Sequence, residues 1–548
     1  MAETPYQNRP RTWIIIPGLI LILAIAAGLR LQHIRADPPR ILPSISGSAG
    51  IYFDEGIYCH NARNRILFGR WITDEWNPIV YSAPLTLVYF LAFKLFGISI
   101  VTVKSVNILF GLAGILLFFG GLRRYLRPRT ALVLTALFAF DYYGMMYNRI
   151  GLLENFCVLG FMLGFYLFSD EKKGRGAAFA LGVVVAVTAL SKYLFAYFLI
   201  STLLAVAYRT CRRKDARYLA LFLSGVFAVG LLWFAAIYLP FRATFSKIGS
   251  GWGMLSLPRS FAQAWSNLVL NPLPRYLQLA PLAGFLLVLY IGLVLWKTIR
   301  RRSMALDPLD VFVFLWIAGA VLSMGFLNYR PLRYYLPLIP AIYLGISLLI
   351  RDKNRIRAAG LPFWLLTLIP AGLFWPFFTM LFRKPSAFFV FPAGFRVLVL
   401  VSFVGAIAFF VLGGGRWRTG VATALVGVML SVSGYLYVKH FYLESTYDLE
   451  TASRYLSTLA RDSVVMGQEA PRLTLETPYK ALLAYENWFN DKDLFVRFKP
   501  THLIVLNKFG GAELGWIKRR YPEVAGRLEP VREFRVWDTT MTLYRVIE

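Results

Sequence analysis

The chain of 548 residues is 57% hydrophobic, 16% aromatic and only 16% charged, with a mean hydropathy of +0.56. A soluble protein carries roughly 25% charged residues, and the apolar residues here come in blocks long enough to cross a hydrocarbon core of about 30 Å. The net charge of +30 is no nucleic-acid signature, because the basic residues sit in short clusters between apolar spans, where they mark membrane topology.

The first apolar span, near 13–31, follows Arg9 and Arg11 and runs outward. Its core is longer than a signal-peptide core and no small-x-small cleavage site follows, so it reads as an uncleaved anchor. Twelve more spans follow, near 100–122, 131–147, 152–168, 178–191, 193–208, 218–239, 280–296, 309–327, 334–350, 361–381, 395–412 and 419–438. With thirteen spans, every basic cluster falls inside: Arg123 to Arg129, Lys172 to Arg175, Arg209 to Arg217, Lys297 to Arg302, Arg351 to Arg357, and Arg416 with Arg418. The predicted fold is therefore a polytopic α-helical membrane protein of about thirteen transmembrane helices (1–440) with a small external C-terminal α/β domain (441–548).

Four external pieces remain: about 32–99, 240–279, 328–333 and the tail. In the first, Asp54 to Phe68 mixes Ile57, Ala62, Ile66 and Phe68 with polar residues as an amphipathic helix does, and Pro84 to Phe96 is a second apolar helix too short for a span. Both are expected to lie in the interface. In the tail, 448–459 and 478–485 read as helices, and 463–466, 502–506 and 541–546 as strands. It carries no Gly-rich phosphate loop and no nucleophile motif, which suits support or acceptor docking.

The chemistry gathers on the outer side. Asp54 and Glu55 point about 100° apart on a helix, so two separate jobs suit them better than a shared proton; a plain helix N-terminus is the alternative. Arg149 and Glu154 flank one outer turn, Lys192 sits in another, and Arg330 and Arg333 lie in the third loop beside Tyr329, Tyr334 and Tyr335. Several cations converging on a carboxylate pair suit a phosphate, although each cation alone is also read as snorkelling to the headgroups. Cys59, Cys157 and Cys211 are widely spread, with no disulfide framework or metal knuckle. The four histidines (His33, His60, His440, His502) show no ligand spacing, and His60 reads as a solvated helix-face residue.

Four stretches carry a family resemblance: Phe53-Asp54-Glu55-Gly56, Asn77 to Leu85 leading into Phe93 to Gly97, Leu190-Ser191-Lys192, and Arg333-Tyr334-Tyr335-Leu336-Pro337-Leu338-Ile339-Pro340-Ala341. In this order they resemble the multi-pass C-type glycosyltransferases, in particular the branch of the lipid A aminoarabinose transferases and the protein O-mannosyltransferases. The family's first loop often ends in His-Pro-Pro or Lys-Pro-Pro, where this chain has Ser82-Ala83-Pro84; one expected phosphate contact or metal ligand is missing, and use of a divalent metal stays open.

The resemblance implies inverting transfer of a sugar from a polyprenyl-phosphate donor to a hydroxyl of a glycolipid, glycan or protein, at the outer face of a bacterial or archaeal cytoplasmic membrane. Asp54 is then the general base and Glu55 orients the loop or a substrate hydroxyl. Lys192, Arg149, Arg333 and Arg330 hold the donor phosphate, with Tyr335 and Glu154 near the substrates. A transporter or lipid flippase is the rival reading, but no inverted repeat is visible and the polar cluster lies at one face. A non-catalytic assembly or sensor protein with the tail as its working end is a third.

Overall fold

The computed structural model describes residues 12–39, 54–170, 175–270, 280–300, 306–329, 331–373, 393–411, 416–507, 512–536 and 539–547. Helices occupy each of the thirteen predicted span positions. Among the described residues nine helices are long and apolar enough to cross a membrane, and apolar helices at 128–139, 153–168, 176–191, 361–372 and 400–411 are shorter. Eight of the nine are predicted spans; the ninth is Ile79–Phe96, expected only as an interfacial piece from Pro84 onward. Its first turn escapes a pattern reading because Ser82 is non-helical (φ −152°, ψ 87°) and kinks the helix ahead of Pro84.

The predicted span 131–147 is two helices, Pro128–Ala139 and Tyr142–Asn148. Asp141 causes the break: its carboxylate accepts hydrogen bonds from the backbone N–H groups of Tyr143 and Gly144, both 3.1 Å away, and caps the second helix. Elsewhere small residues let helices touch backbone to backbone. A Cβ on Gly182 would stand 2.1 Å from the Phe222 carbonyl oxygen, and one on Gly225 2.3 Å from that of Phe179, so the helices Arg175–Ser191 and Ala216–Trp233 pack as closely as main chains allow.

The tail folds into a five-stranded mixed sheet: β1 (Val464–Met466), β2 (Lys480–Leu482), β3 (His502–Leu506), β4 (Leu528–Val536) and β5 (Thr539–Val546), in the order β2-β1-β3-β5-β4. Pairings on β1 are parallel; β5 runs antiparallel to β3 and β4. Alternate residues feed two cores, as a pleat requires. Val465, Ile504 and Leu543 face the helix Asp448–Leu456 and residues Ile57, Trp76 and Val80 of the first loop, whereas Met466, Leu503 and Val505 face Trp516 and Ile517.

Two tail expectations need correction. Residues 478–485 hold strand β2 rather than a helix, and β4 was not foreseen at all. It is an edge strand with a mostly exposed pattern, interrupted by a bulge between Pro530 and Arg532, so it lacks the alternation that marks a buried strand.

The helix Asp54–Phe68 forms over the predicted bounds, yet it is not a surface float. Its residues from Asp54 to Asn64 are buried except Tyr58, which is half-buried, and only its end, with Ile66, Leu67 and Phe68, is exposed. It is a wedge between the membrane bundle and the sheet. His60 is correspondingly not solvated: it is 1% exposed, with Nε2 3.3 Å from Asp74 Oδ2.

Candidate active site

The three residues of the acidic motif divide between two places. Gly56 lies against backbone: an added Cβ would meet Arg472 N and Pro471 C at 2.3 Å. No residue with a side chain fits there, and this close approach seats the helix on the tail segment Ala470–Leu473. Glu55 turns to the same junction. Its Oε2 accepts from Arg472 Nε at 2.8 Å, its Oε1 accepts from the Gly151 backbone N–H at 3.2 Å, and Lys104 Nζ stands 3.9 Å away. About two turns further on, Arg63 donates to four tail carbonyls: Leu475 (3.0 Å), Thr474 (2.8 Å), Thr477 (2.7 Å) and Tyr479 (2.8 Å).

Asp54 points elsewhere, into a four-charge cluster. Arg333 Nε lies 3.3 Å from Asp54 Oδ2 and 3.2 Å from Glu154 Oε1, and Lys192 Nζ donates to Glu154 Oε1 at 2.6 Å. The Lys192 ammonium stands 4.2 Å from the centre of the Tyr334 ring, the Arg333 guanidinium 5.2 Å from it, and Arg333 Nη2 donates to the Tyr329 hydroxyl at 3.3 Å. Asp54 Oδ2 and Glu154 Oε2 are buried and accept no hydrogen bond among the described residues. Burial lifts the Asp54 carboxyl above its ordinary range; the Arg333 charge opposes this and the Glu154 charge adds to it.

Of the residues singled out in the sequence, the structure thus brings together Asp54, Glu154, Lys192 and Arg333, with Tyr335 buried in the same turn, Leu332–Tyr335, as Arg333. Arg330 lies outside the described residues. Arg149 does not join the cluster. Its guanidinium donates to the carbonyls of Leu29 (3.3 Å), Gln32 (2.6 Å) and His33 (2.9 Å) and stacks 4.1 Å from the Phe441 ring centre, so it closes the C-terminal end of the helix Thr12–Leu31. Glu55, expected beside Asp54 in the chemistry, has both oxygens engaged at the junction, which fits the loop-orienting half of its expected role.

Sequence reasoning missed Arg472, Lys104 and Arg63. The first is 417 positions from its partner, beyond the reach of any local pattern; only Gly56, beside the acidic pair, signals that something packs close there. Among the described residues no group of three or more His, Cys, Asp or Glu side chains is placed to hold a metal ion.

Residues 82–239 match the sequence family described as dolichyl-phosphate-mannose-protein mannosyltransferase. That stretch contains Arg149, Glu154 and Lys192 but neither Asp54 nor Arg333. By sequence, no curated protein matches the chain. Among solved structures, ArnT from Cupriavidus metallidurans bound to undecaprenyl phosphate is similar at a TM-score of 0.57 and 15% identity, over 97% of this chain and 98% of that one. The apo state of the same protein gives 0.56 and 16% over the same shares. The archaeal oligosaccharyltransferase AglB from Archaeoglobus fulgidus follows at 0.46 and 13%, over 97% of this chain and 74% of its own. The fold is thus similar to that of ArnT over almost the whole chain, and the family match falls within the membrane region, in the direction the four sequence stretches predict.

Proposed function

We propose that this glycosyltransferase moves a sugar from a polyprenyl-phosphate donor to an acceptor hydroxyl, with inversion, at the membrane face that carries Asp54. The observation that carries the reading is the cluster itself: a buried carboxylate with a raised pKa, separated from a second carboxylate by one arginine that both share. The undecaprenyl phosphate of the ArnT complex supports the donor class, and the family match supports sugar transfer.

The cluster is charge-balanced, two carboxylates against Arg333 and Lys192, so a phosphate can enter only by competing for the two cations. The acceptor O–H gives its proton to Asp54, its oxygen bonds to the anomeric carbon from the side opposite the leaving group, and the carbon–oxygen bond to phosphate breaks. The leaving phosphate keeps the electron pair and is stabilised by Arg333 and Lys192. As Arg333 turns toward the phosphate it withdraws from Asp54, and a carboxylate losing its cation becomes a stronger base. Donor binding therefore arms the base. The phosphate is already a stable anion and needs no general acid, in keeping with a site in which Glu55 is tied elsewhere.

The basic clusters support an orientation with the N-terminus in the cytoplasm and both the Asp54 cluster and the 441–548 unit outside, and that unit then sits where a glycolipid, glycan or protein acceptor arrives. The test is transfer by the purified protein and its Asp54→Asn variant, offered a panel of polyprenyl-phosphate sugars and envelope acceptors and read by mass spectrometry. One acceptor gaining one sugar mass, and gaining none with Asp54→Asn, is the expected result. Equal transfer by the variant removes Asp54 as the base.

A further inference from the structure

At the other end of the bundle, the helices Pro128–Ala139, Leu338–Arg351, Ala393–Val411 and Arg416–Val438 leave a cleft of about 450 Å³ between them. Its wall is apolar, with Leu134, Leu137, Leu286, Ile346, Phe410 and Val426. Arg129, Lys353 and Arg418 line it as well, each at a helix end where a span leaves the hydrocarbon, and no acidic residue among the described residues lines it. The Arg418 guanidinium stacks 4.8 Å from the Phe409 ring centre, and its Nε and Nη2 are buried with no hydrogen bond among the described residues. Arg357 stands near enough for its charge to be felt at Arg418. Nearby, Asp307, Asp310 and Asp352 are bound by Lys297, Arg351 and Arg355 at 2.6–3.1 Å.

A wall that is apolar and a rim that is wholly cationic match one kind of occupant. We infer that this cleft holds an anionic glycerophospholipid from the leaflet opposite Asp54, one acyl chain in the cleft and its phosphate on Arg129, Lys353 and Arg418. Basic pockets between spans at the cytoplasmic surface recognise such headgroups, and a partly buried guanidinium whose shielded N–H groups have no acceptor gains from a phosphate. The donor lipid of the transfer reaction is a different ligand. Eighteen residues of near-helical chain separate Arg333 from Arg351, about 27 Å at the helical rise, so a phosphate on this rim is far from Asp54.

The inference is tested by native mass spectrometry of the full chain, titrated with dioleoyl-phosphatidylglycerol, with dioleoyl-phosphatidylcholine and with inorganic phosphate. One phosphatidylglycerol retained with at least a ten-fold preference over phosphatidylcholine is expected, with no retention of inorganic phosphate. A variant with Arg129→Gln, Lys353→Gln and Arg418→Gln should lose the preference. Ala422→Trp, which fills the cleft and keeps the charges, should lower phosphatidylglycerol retention about ten-fold. Equal retention of the two lipids overturns the proposal, as does binding of inorganic phosphate alone or retention that survives either variant in folded protein.

Discussion

Two buried ion clusters lie at opposite ends of one run of chain, and they are built on opposite principles. At the Arg351 end, Lys297 donates to Asp310 (2.7 Å) and Asp352 (2.6 Å), while Arg351 donates to Asp307 (2.7 Å), Asp310 (2.7 Å) and Asp352 (3.1 Å). Asp307 and Asp310 also form a capping box for the helix Pro308–Phe326, so each carboxylate there has several donors. At the Arg333 end the two carboxylates share one guanidinium nitrogen at 3.2–3.3 Å, and each keeps a buried oxygen that accepts no hydrogen bond among the described residues. The first cluster is finished and holds helices together. The second leaves acceptor oxygens to which a hydroxyl can donate.

The sharpest way to break this contrast is to neutralise one residue in each. Asp54→Asn should lower transfer by about 10²–10⁴-fold, the range for losing a general base, and leave the unfolding midpoint nearly unchanged. Lys297→Met should do the reverse in kind, because it strands buried carboxylates: a loss on the order of 3–5 kcal/mol of stability, with little change in turnover by the protein that remains folded. If Asp54→Asn unfolds the protein or Lys297→Met is silent, the two clusters do not differ as described.

Gly56→Ala ranks next. Its methyl group cannot fit against Arg472 and Pro471, so the wedge helix must lift, and transfer should fall together with protection of the 470–479 segment in hydrogen exchange. The pH dependence is smaller. Asp54 must be ionised to act, and its pKa is raised, so turnover should decline as the pH drops through a value above the ordinary carboxylate range of about 4. In the tail, burial raises the carboxyls of Glu469 and Glu513. A raised folded pKa binds protons more tightly in the native state, so this stability is full below the ordinary glutamate value of about 4.5 and is lost as the pH rises through the raised one. The unfolding midpoint should fall between pH 5 and pH 8, less steeply in Glu469→Gln. Arg149→Lys should have the smallest effect on donor affinity, since Arg149 binds main-chain carbonyls and no cluster member.

Much of this was legible in the residues. Apolar blocks located the helices, and the acidic pair, Glu154, Lys192 and Arg333 could be gathered because charges near helix ends on one membrane side have few places to go. The failures share one cause. Arg149 and Lys192 look alike in sequence, a cation in an outer turn, and only the carbonyls left over at the end of the helix Thr12–Leu31 decide that Arg149 is a cap. The wedge helix was placed at the surface because the segment that buries Glu55 and Arg63 is written more than four hundred residues later, and His60 because its neighbour Asp74 lies beyond the helix. Asp141 is the exception: a lone acid in an apolar run is a local sign of a helix start, and it was there to be read.

Arg63 and Glu55 also set a schedule. Both are made before the carbonyls of Thr474 to Tyr479 and the guanidinium of Arg472, which follow them by more than four hundred residues. Until then Arg63 lacks its four carbonyls and Glu55 the guanidinium of Arg472. A chain cut short before its sheet would lack the contacts that seat the wedge helix and, with it, Asp54. The later segment orders the earlier one, so the aim of Asp54 depends on residues far from it in the chain.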